Sequence, residues 1–242
     1  MDEQLEHAIV GDVVAVDFRT AAVFERFGID FCCGGRQSIA DACRTAAADP
    51  AAVIGALQAL PPMVSPDDDA SRWRVERLID HILVAHHAYV RTAMPTIARY
   101  LAKLNEVHGT RHPELARIAT IFEEVSGGLE QHMFKEEQIL FPYICELGQR
   151  AGQACGVAMS PFGTVENPIR MMEREHREAA DELRVIRELT NGYTPPADGC
   201  ATYQVCMAEL DRFERDLHRH VHLENNVLFP RAVELEKASV GA

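Results

Sequence analysis

Two stretches of the sequence carry the same arrangement of metal-binding side chains. His132 and Glu136 begin one, His220 and Glu224 begin the other, and both read H-x3-E-x3-[IV]-L-F-P. Residues four apart lie on one face of an α-helix, so each histidine shares a face with its glutamate. Two such pairs at matching depth in two helices would bring four metal ligands together.

The sequence after residue 71 contains four long stretches in which apolar residues recur every three or four positions. This spacing predicts amphipathic helices that each bury one apolar seam. Breaks with glycine or proline separate them near residues 108–113, 151–167 and 192–199. Four helices joined in this way form an antiparallel up-down bundle. We therefore predict an all-α protein in which residues 72–242 form a four-helix bundle.

Six polar side chains occupy seam positions where an apolar residue is expected. A lone histidine on a seam is commonly an ordinary core residue, but a buried carboxylate without a partner is costly. The order is His, then His-x3-Glu, repeated once, which indicates a pseudo-twofold metal site at the centre of the bundle. The predicted ligands are His86, His132, Glu136, His176, His220 and Glu224.

The types of these ligands restrict the metal. Four imidazoles and two carboxylates without a thiolate favour two non-haem iron ions, and manganese or zinc are the less favoured alternatives. If both glutamates bridge, each metal receives two histidine nitrogens and two glutamate oxygens. An oxo or hydroxo bridge raises this to about five ligands. One coordination position then stays open for O2, for NO or for exchange of iron.

Other polar residues near the seam have plainer interpretations. Glu137 and Glu175 are interpreted as a solvated helix face, with tuning of the site as the alternative. Core packing is the simplest role for Tyr143. Two further histidines are out of phase with the seam and four are interpreted as surface or supporting groups. These are His87 and His222, and then His81, His108, His112 and His218.

A smaller unit precedes the bundle. Three prolines and three aspartates within residues 60–71 predict a linker at residues 63–71, so residues 1–62 are predicted to form a small helical domain. Its sequence contains several signals for helix ends. They are Gly28 as a C-terminal cap, Ser38 with Asp41 as a capping box, and Asp49 before Pro50 as an N-cap.

Two adjacent cysteines, Cys32 and Cys33, lie in the turn-forming segment Ile-Asp-Phe-Cys-Cys-Gly-Gly of this small domain. An adjacent pair forms only a strained ring disulfide, which is readily reduced. Arg36 and the helix that follows are expected to lower the pKa of a thiol here. A redox or iron-transfer role is one prediction, and a tight turn in which both thiols merely pack is the alternative.

Composition excludes some classes of function. The net charge of -13 argues against binding nucleic acid or an anionic membrane surface, and it also promotes solubility. The seven cysteines contain no C-x2-C pair and are odd in number, which favours reduced thiols over a secreted disulfide framework. The acidic N-terminus lacks the basic start of a secretory signal, and no apolar run is long enough to span a bilayer. We therefore expect a cytoplasmic protein.

Taken together, these motifs resemble the repair-of-iron-centres (RIC) di-iron proteins. The two histidine–glutamate motifs are similar to those of that family's haemerythrin-like domain, and Met-Glu-x-Glu before His176 is similar to its third-helix motif. The segment that ends at Gly35 is similar to the vicinal-cysteine motif of its small N-terminal domain. The resemblance covers nearly the whole chain and implies the same six ligands. One departure is the pair Gly127-Gly128, where relatives are expected to carry a polar side chain.

The resemblance implies repair of iron–sulfur clusters damaged by nitric oxide or oxidants in the bacterial cytoplasm. The di-iron site is expected to hold labile iron, and damaged or apo iron–sulfur proteins are the expected partners. Two alternatives stay open: an enzyme that reduces NO to N2O, and a module that binds O2 or NO as a sensor or store. The sequence also leaves open whether the protein is an enzyme and whether it forms a homodimer.

Overall fold

In the part of the chain that the computed structural model describes, the regular secondary structure is helical. The described residues are 5–61, 69–150 and 162–240. Within them, the only extended pairing is one isolated bridge between Ile9 and Ser38. The all-α prediction is confirmed. Most of the predicted linker lies outside the described residues.

The chain divides into two compact units, which we describe separately. The first unit comprises Met1–Ile79, Ile144–Val165 and Arg219–Ala242. The second unit comprises Asp80–Tyr143 and Glu166–His218.

Short helices with the predicted caps begin the first unit. Ser38 Oγ accepts a hydrogen bond from the Asp41 backbone N–H at 3.1 Å, as expected for a capping box. Asp49 caps the next helix through the Ala51 N–H at 3.1 Å. These side chains satisfy N–H groups that have no partner within the helix. The four helices are α1 (Val10–Val16), α2 (Ala21–Arg26), α3 (Ile39–Ala46) and α4 (Pro50–Gln58).

Gly28 ends α2 as predicted. Its φ of 68° is in the left-handed region, which glycine adopts without a steric penalty. The Gly28 N–H donates to Glu25 O at 3.0 Å, and the Ile29 N–H donates to Phe24 O at 2.9 Å. These two bonds form a Schellman motif, which turns the chain toward the cysteine segment.

Seven further helices follow in the described part of the chain, and three π-helical turns each join two of them that are consecutive in sequence. The helices are α5 (Val75–His81), α6 (Ala88–His108), α7 (Glu114–Lys135), α8 (Phe141–Arg150), α9 (Glu166–Leu189), α10 (Ala201–His222) and α11 (Phe229–Val240). The π-turns are π1 (Ile82–His87) between α5 and α6, π2 (Glu136–Leu140) between α7 and α8, and π3 (Leu223–Leu228) between α10 and α11. Each π-turn contains or adjoins a predicted metal ligand, and π-bulges are frequent at functional sites.

The second unit is a helix bundle with an apolar core that includes aromatic rings. Helix α7 packs against α6 and α9, and the part of α10 before Arg219 supplies the fourth helix. Phe122 and Phe213 meet edge to face with ring centroids 5.4 Å apart, and both are almost fully buried. Burying each such ring contributes about 1.5–3 kcal/mol. This packing fixes the helices that carry the polar seam residues.

No helix in the described part of the chain combines the length and the apolar character that crossing a bilayer requires.

Candidate metal centre

The carboxylate of Glu136 lies in the core of the second unit, at the start of π2. Its side chain is completely buried. Its Oε1 lies 3.3 Å from His132 Nε2, and its Oε2 lies 3.4 Å from His87 Nε2. The two oxygens of one carboxylate therefore face two different imidazoles. This is the arrangement expected of a carboxylate that bridges two cations.

His132 and His176 converge beside Glu136. Their Nε2 atoms are 2.9 Å apart, and their rings meet edge to face with centroids 4.6 Å apart. One ligand atom from each of His132, Glu136 and His176 lies within 4.8 Å of the other two. Two nitrogens and one oxygen in a buried pocket form a donor set that suits iron, manganese or zinc. The residues present therefore fit a bound cation.

Two neighbouring carboxylates hold the outer nitrogens of these histidines. Glu175 Oε2 lies 2.9 Å from His132 Nδ1, and Glu137 Oε1 lies 2.7 Å from His87 Nδ1. When Nδ1–H donates to a carboxylate, the lone pair of Nε2 is available to a metal. Both glutamates are mostly buried, so the interpretation as a solvated helix face is wrong. The alternative interpretation, tuning of the site, fits these contacts.

Each of these two glutamates, Glu137 and Glu175, also contacts a basic side chain. Lys135 donates to Glu175, and Arg91 Nη2 donates to Glu137 at 2.7 Å. The hydrogen bond from His132, followed by that from Lys135, lowers the pKa of Glu175 to about 2. His87 and Arg91 lower the pKa of Glu137 in the same way against the effect of its burial. Both groups are therefore ionised acceptors at neutral pH.

The structure places His87, rather than the predicted His86, beside Glu136. His86 is also buried, but its Nδ1 lies 3.0 Å from Asp216 Oδ1 and its ring packs against His81. The one-residue difference follows from π1. A π-turn pairs residues five apart, so His87 shares a face with Ile82, whereas ordinary helical spacing selects His86. The doublet His86-His87 was the only hint of this in the sequence.

The second predicted pair lies in the first unit and has the predicted local geometry. His220 Nε2 is 3.0 Å from Glu224 Oε1, and both side chains are almost completely buried. His220 lies in the last turn of α10, and Glu224 lies in π3. Each motif thus aligns a histidine with a glutamate four residues later at the start of a π-turn.

His222, which the helical phase excluded from the site, is completely buried in the first unit. The rings of Phe18 and Phe31 lie 6.2 Å and 5.8 Å from it. This burial lowers the pKa of His222 to about 4, so its imidazole is neutral at pH 7.

Asn226, two residues after Glu224, holds the cysteine segment. Its Nδ2 donates to Cys32 O at 3.0 Å and to Phe31 O at 3.2 Å. A Cβ on Gly35 would approach Asn226 Oδ1 to 2.6 Å and Phe31 O to 2.5 Å, so only glycine fits there. Helical phase alone gave no role to Asn226. The one sign in the sequence that this position differs between the motifs was the Asn-Asn pair of the second motif, which stands where the first has Glu-Gln.

Cys32 is buried and Cys33 is half-buried, and both are free thiols. Asp30 Oδ1 accepts from the N–H groups of Cys32 and Cys33 at 3.0 Å and 2.9 Å, and Cys32 Sγ lies 3.3 Å from the same oxygen. The hydrogen bond with Cys33, followed by burial, raises the pKa of Cys32 well above its usual value. The expectation of a lowered pKa is therefore wrong for Cys32, because a carboxylate and a second thiol outweigh the nearby helix.

The glycine pair one turn before His132 is not required by packing. A Cβ added at Gly127 or Gly128 would meet no described atom within 4 Å. Both residues lie inside α7, where glycine costs about 1 kcal/mol relative to alanine. The structure gives no physical reason for glycine here. Of the other predicted bystanders, Tyr143 is buried, as core packing predicts.

Comparison with known proteins groups this chain with a defined set of relatives. Residues 78–232 match the family described as the Hemerythrin HHE cation binding domain. Residues 6–61 match the ScdA_N family, described as a domain of unknown function. The two matches cover the motifs of the metal centre and the cysteine segment respectively.

Curated relatives match nearly from end to end. The iron-sulfur cluster repair protein YtfE of Dickeya chrysanthemi is 34% identical over 94% of this chain and 97% of its own length. The protein of the same name from Musicola paradisiaca is 35% identical over 94% of this chain and 96% of its own length. That from Escherichia coli O157:H7 is 34% identical over 89% of this chain and 91% of its own length.

Proposed function

Because the chain belongs to the YtfE family of iron-sulfur cluster repair proteins, we propose that it repairs damaged iron–sulfur clusters by donating iron. The iron would come from a labile site bridged by carboxylates. The observation that carries this proposal is the buried Glu136, whose two oxygens face two different imidazoles. A single cation bound by one oxygen would not need this arrangement.

The proposed ligands are six residues, with His87 in the place of His86. The contact of His87 Nε2 with Glu136 supports this exchange. The repeat in the sequence supports equivalent roles for the two histidine–glutamate pairs, so we assign bridging to Glu224 as well as to Glu136. The complete set is His87, His132, Glu136, His176, His220 and Glu224.

Two non-haem iron ions are the metals we propose, and manganese or zinc suit the same donors less well for this function. Bound iron would supply an exchangeable, redox-active cation. The protein's part is to hold it weakly enough for release: neutral imidazoles and carboxylates bind iron without thiolates. Glu137 and Glu175 keep His87 and His132 in the tautomer that faces the site.

We further propose that Cys32 and Cys33 take part in redox coupling or iron transfer. Ligand atoms of Asp30, Cys32 and Cys33 lie within 4.8 Å of one another, which suits brief capture of a cation. Asn226 links this segment to π3, which carries Glu224. The partners we propose are damaged or apo iron–sulfur proteins of the bacterial cytoplasm, with NO and O2 as small ligands.

A transfer experiment tests the function. Protein loaded with isotopically labelled iron is mixed with an enzyme whose iron–sulfur cluster has been damaged by NO. We expect enzyme activity to return as labelled iron moves to the enzyme. The Glu136→Ala variant is the control for loading, and an equal amount of free ferrous iron is the control for leakage. Activity that never returns while the label stays bound would rule out donation.

Gas analysis separates donation from catalysis. We expect the reduced protein under NO to form no more than stoichiometric N2O. Continuous turnover would favour the NO-reducing alternative, and reversible spectral changes without loss of iron would favour a sensor or store.

A further inference from the structure

A buried histidine meets an exposed cysteine in the second unit, where α6 ends and α10 begins. His108 is the last residue of α6 and is only 4% exposed, although the sequence suggested a surface or supporting group. Cys200 immediately precedes α10 and is exposed. His108 Nε2 lies 3.3 Å from Cys200 Sγ. No residue of this cluster belongs to the proposed metal centre.

Cys200 is the N-cap residue of α10. Its carbonyl accepts the first helical hydrogen bond, from the Gln204 N–H at 3.1 Å. In this position, a cap side chain receives the free N–H groups of the second and third helical residues. The backbone N–H of Tyr203, and after it the backbone N–H and the side chain of Thr202, lower the pKa of Cys200. The N-terminus of a 22-residue helix thus stabilises a thiolate.

The environment of His108 favours one tautomer. Its Nδ1 is buried and has no hydrogen-bond partner among the described residues. A buried N–H without an acceptor costs about 1–3 kcal/mol, and an orphan N–H is rarer in proteins than an orphan acceptor. The proton therefore belongs on Nε2, from which it is donated to the sulfur of Cys200. His108 becomes a third donor that favours the thiolate.

Polar contacts fix the loop that carries Cys200. Asp198 accepts from His112 Nε2 at 3.0 Å and lies 3.2 Å from Arg111 Nη1, and His112 Nδ1 lies 3.1 Å from Glu114. The ring of Tyr203 packs edge to face against His108 and His112. Asp198 and Glu114 are balanced by Arg111 and by His112, whose pKa these two carboxylates raise, led by Asp198. The sulfur is therefore held in place and remains open to solvent.

We propose that Cys200 is a reactive thiol that exchanges with small disulfides, and that His108 positions and stabilises its thiolate. The thiolate attacks one sulfur of the small disulfide, and the S–S bond breaks as a new one forms to Cys200. The leaving thiolate carries away the electron pair and takes a proton from water. The product is a reversible mixed disulfide. This modification requires no metal and is independent of cluster repair.

Peptide mapping after brief exposure to glutathione disulfide tests the proposal on the full-length protein. We expect the first glutathionyl adduct at Cys200, formed at pH 7 about tenfold faster than at the half-buried Cys33 or Cys145. Reduction with excess thiol should restore the original mass. First labelling of any other cysteine would overturn the proposal.

Two variants test the role of the surroundings. His108→Phe removes the imidazole donor, and Thr202→Pro removes both the backbone N–H and the hydroxyl of Thr202, at a helix position that tolerates proline. Each should raise the pH midpoint of the exchange rate by about one unit. His112→Gln, which alters the same loop without contacting the sulfur, is the matched control. An unchanged rate–pH profile in Thr202→Pro overturns the proposal even if His108→Phe fails to fold.

Discussion

The two copies of the H-x3-E motif align the same histidine–glutamate pair, but the residues beside the pair differ in their exposure to solvent. Two residues after the histidine, Phe134 of the first copy is 62% exposed, whereas His222 of the second is completely buried. Six residues after the histidine, Gln138 is exposed, whereas Asn226 is half-buried and bonded to the cysteine segment. An apolar ring thus faces solvent in one copy, and an imidazole is buried in the other.

The difference shows that the repeated positions of the motif and its variable positions have separate roles: the repeated positions align the histidine with the glutamate, and the variable positions make the other contacts. The histidine, the glutamate and the Leu-Phe-Pro tail are shared, and both copies contain a π-turn. The residues between them differ. Glu137 of the first copy is hydrogen bonded to His87, and its counterpart in the second copy is Asn225. Gln138 and its counterpart Asn226 both carry an amide, but Gln138 is exposed, whereas Asn226 donates to backbone carbonyls of the cysteine segment.

Replacing the glutamate of either motif by alanine should have the largest effect on metal binding. We expect Glu136→Ala and Glu224→Ala to lose most of their iron. The stability linked to bound metal, about 3 kcal/mol when metal is at a hundredfold excess over Kd, should be lost with it. Without metal, the difference in stability from the parent should be smaller, because the metal-linked stabilisation is then absent from all three proteins.

Metal analysis and calorimetry with and without a chelator measure these effects. Gln138→Ala, an exposed change beside Glu136, is the matched control and should behave like the parent. Unchanged iron content in both glutamate variants would refute bridging.

Replacing His86 and His87 by alanine, one at a time, should show which of the two binds the metal beside Glu136. We expect His87→Ala to lower iron affinity strongly, since its Nε2 faces Glu136. His86→Ala should retain most of the iron, because its ring contacts Asp216 and His81. Equilibrium competition against a coloured chelator compares the two. Greater loss in His86→Ala would return the ligand role to the residue selected by helical phase.

Replacing Asn226 of the second copy by alanine should release the cysteine segment. We expect Asn226→Ala to increase alkylation of Cys32 about tenfold, because two hydrogen bonds of about 1 kcal/mol each are lost. The iron content should change little. Timed alkylation followed by peptide mapping gives the rate. Equal protection of Cys32 in the parent and the variant would mean that other contacts hold the segment.

His222→Phe, which gives the second copy the aromatic residue of the first, should make the free energy of unfolding less sensitive to acid. His222 has a pKa of about 4 when folded, whereas an unfolded histidine titrates near 6.5. Between these values only the unfolded chain takes the proton, so stability falls as pH drops below 6.5. At pH 5.5 this costs about 1 kcal/mol. Urea unfolding of the metal-free parent and of His222→Phe, at pH 7.5 and 5.5, measures it. A parallel loss in both proteins would exclude His222 as its source.

Much of this molecule follows from its sequence. The helical class follows from apolar spacing, and Gly28, Ser38 and Asp49 mark helix ends because their local chemistry is independent of tertiary contacts. The His132–Glu136 and His220–Glu224 alignments follow from the 3.6-residue repeat. The placement of His87, rather than His86, beside Glu136 does not follow from it, because a π-turn adds a residue that ordinary phase counting cannot register.

The burial of three further residues could not be predicted from the sequence either: His108, His222 and Asn226. Each depends on contacts with residues far away along the chain: Cys200, Phe31 and Cys32 respectively. The supporting roles of Glu137 and Glu175 depend on neighbouring helices in the same way. Helical periodicity places a side chain on a face, but it does not identify the group on the opposing element.

Metal analysis together with a visible spectrum of the purified protein is the most direct test of the carboxylate-bridged site. We expect two iron ions per chain and an absorption band typical of an oxo-bridged pair. Glu136→Ala should lose the iron and the band. A parent protein that binds only one metal ion, or a Glu136→Ala variant that keeps its iron and its spectrum, would contradict the carboxylate-bridged site.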